Sequence, residues 1–277
     1  MAQTDIKINV TQAVADIFGQ TAKIPFTEIF GFGANAGYTN NKTVDVVTYK
    51  AGKASAQNRN AINWSSTGLA SNVVDAVTLD KALLEIVNLQ TNASPEFVLQ
   101  MGRASVETIG RGLENYLIAS LSGTSLTSAA SAVNTLSGFQ TMVGQAKKRV
   151  GDLYNYALLL DSDNYATLRA NTVAGVSTPE YWNDGTPFGV RVFESLELND
   201  LGIKGLFFHK SVLSWAAGVE KGFATNGVTA EVAVAPKSGV PMVAYTYPNG
   251  ADIYAAYGFF VGKTVSSSLN TLAVKLT

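Results

Sequence analysis

The chain of 277 residues contains no cysteine and a single histidine. Without cysteine, neither a disulfide nor a thiolate metal site can form, and a secreted disulfide framework is excluded. One histidine also excludes zinc sites built on several histidines, and cysteine–histidine catalytic pairs. The reactive chemistry open to the chain is therefore narrow.

Charge is scarce as well. Only 15% of the residues are charged and the formal net charge is -1, whereas a globular domain usually carries about 25% charged residues. A near-neutral chain is not built to hold nucleic acid through phosphate contacts, although it could enclose it. Since interface cores are depleted in charge, this composition suits a subunit that buries much of its exterior against neighbours.

Targeting and membrane signals are also missing from the sequence. The opening residues MAQTDIKINVTQ lack the basic start and apolar core of a signal peptide. No apolar run reaches the length that a membrane span needs. We therefore expect a chain that is cytoplasmic when made and has no membrane partner.

One stretch, from Ser94 to Gly123, predicts a long amphipathic helix of roughly 40 Å. Ser94 is a good N-cap, Pro95 takes the first helical position and Gly123 is a plausible stop. An apolar stripe follows, composed of Phe97, Met101, Ser105, Ile109, Leu113, Leu117 and Leu121 and widened by Val98, Val106 and Tyr116. Each interior glycine costs about 1 kcal/mol, so close packing is expected at Gly102, Gly110 and Gly112.

The region before this helix predicts an irregular arm and then a hairpin. The arm contains IPFTEIFGFGANAGYTNN, which is too rich in glycine and asparagine for regular structure. Alternating residues then predict a strand over Thr43–Tyr49, a polar loop and a returning strand, which form a long hairpin from Lys42 to Gln90. Because a two-stranded ribbon is marginal alone, it needs a partner surface, which another subunit could supply. A helix over Leu79–Gln90 is the alternative.

The second half predicts alternating helices and strands. The pattern gives a helix over about 136–150, a buried strand over 156–160, a helix capped by Asp161, Ser162 or Asp163, a strand in PFGVRVFESLEL, a strand over 206–209, a short helix around 212–217, and C-terminal strands with a turn at YPNG. No internal repeat is present.

No motif in the sequence carries chemistry. His209 has no G-x-S-x-G serine to serve, and the glycine-rich GFGANAG lies outside a strand–helix unit. The segment DSDN lacks the sixth-position glycine and distal glutamate of a calcium loop, so helix capping is the better interpretation. The basic trio Lys147, Lys148 and Arg149 is expected at a helix C-terminus. We predict no catalytic, cofactor-binding or metal-binding residues, and no enzyme.

Taken in order, several segments resemble the Hong Kong 97 fold of tailed-phage major capsid proteins. YALLLDSDNYATLRAN resembles the family's strand-then-helix segment, and PFGVRVFESLEL resembles its G-x-x-V strand. GLFFHKSVLSWAAGVEKG resembles its strand and turn before a short alanine-rich helix. IYAAYGFFVGKTVSSSLNTLAVKL resembles its closing strands. The resemblance covers residues 25–277.

The resemblance implies an α+β fold of four parts. These are an N-terminal arm (1–41), an extended hairpin loop (42–90), a peripheral domain (91–129 and 231–277) with a spine helix over 94–122, and an axial domain (130–230). In the family, the hairpin reaches over a neighbouring subunit and the axial domain clusters at five-fold and six-fold axes.

The implied function is that of a major capsid protein. Such a chain self-assembles as pentamers and hexamers into an icosahedral shell that encloses phage genomic DNA. It resides in the virion, and in the host cytoplasm during assembly, and it uses no cofactor. Its implied partners are further copies of itself, a portal and a decoration protein. The arm here is too short to contain a cleaved scaffolding segment, so the resemblance implies either a separate scaffolding protein or none.

Three other interpretations remain open on sequence grounds. An encapsulin-type bacterial nanocompartment has the same fold, and a β-rich tail or adhesion protein would also be structural. An α/β enzyme is disfavoured by the missing chemistry. Some relatives cross-link a hairpin lysine to an asparagine of the next subunit. Lys42, Lys50 and Lys53 lie in this region, but no acceptor or catalytic carboxylate is identified, so cross-links are not expected.

Overall fold

The computed structural model describes residues 14–15, 24–35, 42–50, 71–88, 94–122, 128–129, 155–170, 190–220, 228–249, 252–267 and 273–276, with six helical residues between 138 and 148. The helices are Phe26–Ile29 (α1), Pro95–Ser122 (α2, the long helix), Ser162–Ala170 (α3) and Glu197–Asp200 (α4). The strands are Gly31–Asn35 (β1), Thr43–Lys50 (β2), Ser71–Thr78 (β3), Lys81–Asn88 (β4), Ser128–Ala129 (β5), Tyr156–Leu160 (β6), Arg191–Glu194 (β7), Gly205–His209 (β8), Leu213–Gly218 (β9), Thr229–Val234 (β10), Pro241–Asn249 (β11), Asp252–Val265 (β12) and Ala273–Leu276 (β13).

These strands form two sheets and a ribbon. The first sheet has the order β1-β9-β12-β11-β10, and β4 pairs with β12 as well. The second sheet has the order β5-β13-β8-β6-β7. Strands β2 and β3 form a separate antiparallel pair, the ribbon. The fold is therefore mixed α and β, as the sequence predicted.

The long helix is confirmed over nearly the whole predicted range. The Ser94 hydroxyl accepts the backbone N–H of Phe97 at 3.2 Å, which is the expected N-cap bond. The helix packs on β4 and β12 of the first sheet. Ile118, which the four-residue repeat did not include, is fully buried, whereas Met101 at the start of the stripe is only half-buried. The stripe stays buried from Ser105 to Leu121, so Ile118 widens the buried face.

One continuous core lies against both sheets and the long helix. Strand β8 lies between this core and a smaller one, because its successive side chains point to opposite faces of the second sheet. Phe208 packs in the large core with Leu159, Leu113 and Trp215, whereas Phe207 packs in the smaller core on the other face of the second sheet.

The N-terminal segment is more regular than predicted. Residues 26–29 form a helix, and residues 31–35 form β1, which pairs in parallel with β9. The prediction of irregular structure over this stretch was wrong, because backbone pairing with a long buried strand outweighs low strand propensity. The Trp215 indole N–H donates to the Phe26 carbonyl at 3.2 Å and fixes the segment on the core.

The hairpin exists, but it is shorter than predicted. Strand β2 pairs with β3 from Thr43–Thr78 to Lys50–Ser71. Residues 81–88 then leave the ribbon and pair with β12, so a single hairpin extending to Gln90 was wrong, as was a helix over 79–90. The alternation of apolar and polar residues continues from β3 into β4 without a break, since only Leu79 and Asp80 separate the two strands. The polar tip, 51–70, lies outside the described residues.

A second correction concerns residues 212–217. The predicted short helix is strand β9, preceded by a single 3₁₀ turn at Lys210–Val212. Every residue of β9 is buried, and an apolar run of that kind does not distinguish a buried strand from a helix. The domain division remains a prediction. Its boundaries put β9 in the axial domain and β13 in the peripheral domain, whereas β9 belongs to the first sheet with β12, and β13 belongs to the second sheet with β8.

Other predicted elements are confirmed. Strand β6 is buried throughout, and the Asp161 carboxylate caps α3 by accepting the backbone N–H of Asn164 at 2.8 Å. The C-terminal hairpin forms, but the predicted turn at YPNG was misplaced, because the strand pairing continues through Tyr247 and Pro248 to Asn249. Of the predicted helix 136–150, the described residues are helical.

The interior glycines of the long helix differ in their surroundings. A Cβ at Gly102 would lie 2.7 Å from Cγ2 of Val14, so close packing is real there. A Cβ at Gly112 would make ordinary contact with Leu83 at 3.5 Å, and one at Gly110 would meet nothing within 4 Å. The expectation of close packing was therefore wrong for Gly110.

We predict opposite effects for two alanine substitutions in this helix. Gly110→Ala should raise the free energy of unfolding by about 0.5–1 kcal/mol, because it lowers backbone entropy in the unfolded chain without a clash. Gly102→Ala should lower it, because the new methyl group overlaps Val14. Urea unfolding of both variants measures this, and equal effects would show that the packing difference has no energetic weight.

Candidate interaction surface

The single histidine has a structural position. His209 is 2% exposed at the end of β8. Its Nδ1 accepts the backbone N–H of Ser211 at 3.2 Å, and its ring packs edge-on against Tyr156. It therefore helps to form the turn that leads into β9. Among the described residues, no group of three acidic or histidine side chains could hold a metal ion.

A half-open cavity of about 130 Å³ lies between residues 24–28, the long helix and the turn before β11. Leu113, Trp215 and Val240 supply apolar walls. Small-molecule sites usually enclose about 300–1,000 Å³. The cavity is therefore too small for a drug-sized ligand.

The root of the ribbon, residues 43–48 and 74–78, packs tightly on one face of the first sheet. Val44, Val46 and Val77 are buried there against Ala216 of β9. A Cβ at Gly31 would lie 2.6 Å from Cγ2 of Thr48, so the ribbon approaches β1 more closely than a side chain allows. The ribbon finds its partner surface in its own subunit, at least for this root.

Three further contacts fix the ribbon root. A Cβ at Gly262 of β12 would overlap the Thr78 carbonyl oxygen. The backbone N–H of Leu79 donates to the Lys42 carbonyl at 2.6 Å and closes the open end of the ribbon. The Ser214 hydroxyl donates to the Asp75 carboxylate at 2.6 Å across the packed face.

The outer face of the ribbon is uncovered and partly apolar. Val47 and Val74 are cross-strand partners, 44% and 58% exposed. Lone exposed valines are ordinary, but these two are adjacent and lie on the face of the ribbon turned away from the sheet. Such a pair is a candidate contact for another subunit.

A second exposed apolar area lies at the far end of the first sheet. Ile86 of β4 is 60% exposed and pairs with Ala256. On the same face, by strand alternation, Tyr247 and Tyr254 stack with ring centroids 5.6 Å apart. Tyrosine is enriched in protein interfaces, so this area is a second candidate contact.

The long helix is tied to the second sheet by polar contacts. Arg111 donates to Glu197 at 3.2 Å, and the Glu197 carboxylate is only 7% exposed. The Ser195 hydroxyl donates to Glu114 at 2.5 Å, and the Glu197 backbone N–H donates to it too. Burial raises the pKa of Glu114, an effect that the Glu197 charge reinforces and the two hydrogen bonds and Arg111 oppose.

The same helix is tied to β12 by Lys263. Its ammonium group lies 3.9 Å from the centroid of the Tyr116 ring and also donates to the Tyr116 carbonyl. Burial lowers the pKa of Lys263, while nearby Asp80 acts to raise it. Burial, with the charge of Asp80, raises the pKa of Tyr116 to about 12.

Three of the basic residues singled out in the sequence lie within the described part of the chain. Lys42 is exposed at the ribbon root and Lys50 ends β2, whereas Lys53 lies outside the described residues. Lys148 is helical, and Lys147 and Arg149 lie outside the described part. Cross-linking stays untested. None of the helices in the described residues combines the length and apolar character needed to cross a bilayer.

Solved structures of similar fold come from viruses and virus-like particles. A structure from Mycobacterium phage Che8 is 14% identical, with a TM-score of 0.51, and covers 91% of this chain and 90% of that one. A virus-like particle from Pyrococcus furiosus is 12% identical, with a TM-score of 0.54 and coverage of 97% and 98%. The capsid of Ralstonia phage GP4 is 12% identical, with a TM-score of 0.49 and coverage of 90% and 87%.

The sequence matches no protein-family model and no curated protein. The first two structural likenesses cover nearly the full length of both chains. They show that the chain has the Hong Kong 97-like fold that the order of its segments implied.

We predict that Glu114 makes stability depend on pH. Its folded-state pKa is raised, so its contribution is present below the unfolded value, about 4.3, and is lost as pH rises through the folded value. The free energy of unfolding of wild type, relative to Glu114→Gln, should therefore increase as pH falls from 8 to 5. Urea unfolding across this range is the measurement, with Glu107→Gln on the exposed face as control. A constant difference would contradict the prediction.

Proposed function

We propose that the chain is a major capsid protein, which assembles with copies of itself into a closed icosahedral shell around phage genomic DNA. The observation that carries the proposal is the ribbon. It is anchored on its own sheet by buried valines and close backbone contacts, yet it presents the uncovered pair Val47 and Val74. The fold likeness to a virus-like particle supports the same function.

In this proposal the ribbon is the clamp between subunits. Its root is rigid because the packed face is buried, so the outer valines are held at a fixed place relative to the sheet. A neighbour that covers these valines removes apolar surface from water, which stabilises the contact by about 25 cal/mol per Å². Pentamers and hexamers would use the same contact.

The proposed content of the shell is DNA held without sequence recognition. The formal net charge of -1 leaves no excess of positive charge to bind phosphates tightly. The shell would thus confine the genome rather than adhere to it. We propose no enzyme activity and no cofactor. Partners would be further copies of the chain and, during assembly in the host cytoplasm, a separate scaffolding protein with a portal.

Electron microscopy of the purified protein tests this function, alone and with the scaffolding protein encoded beside it. Closed particles tens of nanometres across that hold nuclease-protected DNA, when produced in infected cells, are the expected result. Closed particles that hold a protein cargo and no DNA would instead identify an encapsulin-type compartment. Monomers under every condition would overturn the proposal.

We predict that Val47→Thr with Val74→Thr weakens assembly but not folding. Threonine keeps the β-branched shape that strands favour, and both positions are exposed, so the unfolding free energy should change by at most about 0.5 kcal/mol for each. The protein concentration needed for assembly should rise roughly tenfold, because each contact loses on the order of 1 kcal/mol of apolar burial. Light scattering against concentration measures it.

The matched control is Val234→Thr, the same substitution at a valine 40% exposed on β10 of the first sheet. It should assemble like wild type. Equal effects at both places would mean that the ribbon face has no special role in subunit contacts.

A further inference from the structure

The ribbon has an unusual distribution of valine. Its packed face carries Val44, Val46 and Val77, but its outer face also carries the adjacent pair Val47 and Val74. A ribbon with one purely polar face would be oriented by the hydrophobic effect alone. Here that preference is weakened, since both faces offer apolar surface to the sheet.

Strand geometry makes this weakness consequential. Successive side chains alternate between faces, so a slip of one residue exchanges the packed and outer sets of a strand. Each face also carries one aspartate, Asp75 on the packed side and Asp45 on the outer side. The difference in apolar content between the two faces therefore gives only a weak preference for which face packs on the sheet.

One contact does distinguish the two faces. Asp75, the cross-strand partner of Val46, accepts the Ser214 hydroxyl at 2.6 Å. Ser214 is fully buried in β9, opposite Gly31. A Cβ at Gly31 would lie 2.9 Å from the Ser214 hydroxyl, so the space around this bond is closed. The acidic group on the packed face is therefore matched with a donor at one place on the sheet.

We propose that Asp75 and Ser214 are a register pair, positioning residues that fix the face and the setting of the ribbon on its sheet. In any shifted or turned arrangement, a carboxylate is pressed onto apolar sheet without this donor, which is costly. The valines hold the ribbon to the sheet, and the register pair determines how it lies.

The stability of the fold and the uniqueness of the ribbon position should respond differently to loss of the register pair. Replacement of a buried polar pair by apolar residues of similar size is often neutral or stabilising, whereas a single polar residue in an apolar interface specifies register. Asp75→Val with Ser214→Ala should therefore fold at least as stably as wild type. It should hold the same face of the ribbon against the sheet in more than one position along it, because Asp45 on the outer face still disfavours a turned ribbon.

The absence of cysteine makes a direct measurement convenient. Spin labels on Ala76→Cys, at the exposed outer face of the ribbon, and Asn115→Cys, on the exposed face of the long helix, report the ribbon position through the electron–electron distance distribution. The measurement uses the full chain in its unassembled form. Wild type should give one narrow distance, and Asp75→Val/Ser214→Ala a broadened or split distribution with an undiminished urea midpoint.

Asp75→Asn is the matched control, because its amide oxygen still accepts the Ser214 hydroxyl. It should keep the single narrow distance. An unchanged narrow distribution in Asp75→Val/Ser214→Ala would overturn the proposal, and so would equal broadening in Asp75→Asn. Should the double variant fail to fold, Ser214→Ala alone, which retains the carboxylate without its donor, must broaden the distribution or the proposal is wrong.

A second measurement rests on the proposed function. If the ribbon joins subunits, an unfixed ribbon should give particles of mixed diameter by electron microscopy, and Asp75→Asn should give the wild-type diameter. Failure of wild type to form particles would overturn the proposed function and leave the distance measurement unaffected. Uniform particles from Asp75→Val/Ser214→Ala would count against the register pair alone.

Discussion

The close approach of the ribbon to the first sheet is the constraint on which the rest of the structure depends. Gly31 and Gly262 leave room for Thr48 and the Thr78 carbonyl, so at these two positions the sheet places no side chain of its own between itself and the ribbon. That contact buries the root valines and determines where the outer valines lie. Any larger residue at these glycines would lift the ribbon and move its outer face.

The long helix serves a different purpose from the ribbon. Its apolar face packs on β4 and β12, while Arg111 and Glu114 reach the turn after β7 in the second sheet. The helix thus joins two sheets that also share one apolar core. Buried polar contacts of this kind add little net stability, but they restrict how the joined parts can be arranged. The fold combines apolar packing for strength with a few polar contacts for position.

The sequence predicted the elements whose pattern is local and strong. The Ser94 cap, the 28-residue helix and buried β6 were all readable. It failed where pairing partners decide the outcome: β1 is a strand because β9 lies beside it, and β4 left the ribbon because β12 was available. Of the candidate contact surface, alternation predicted the ribbon itself. The Asp75–Ser214 contact joins residues 139 positions apart, and no local pattern reveals it.

The single 3₁₀ turn between β8 and β9 has a mechanical consequence. Strand β9 lies directly under the ribbon root, and β8, which ends three residues earlier along the chain, occupies the middle of the second sheet. A force on the ribbon that reaches β9 through the packed valines and the Asp75–Ser214 hydrogen bond therefore continues along covalent backbone into the second sheet. Because no long linker separates β8 from β9, strain applied to the first sheet is passed to the second sheet.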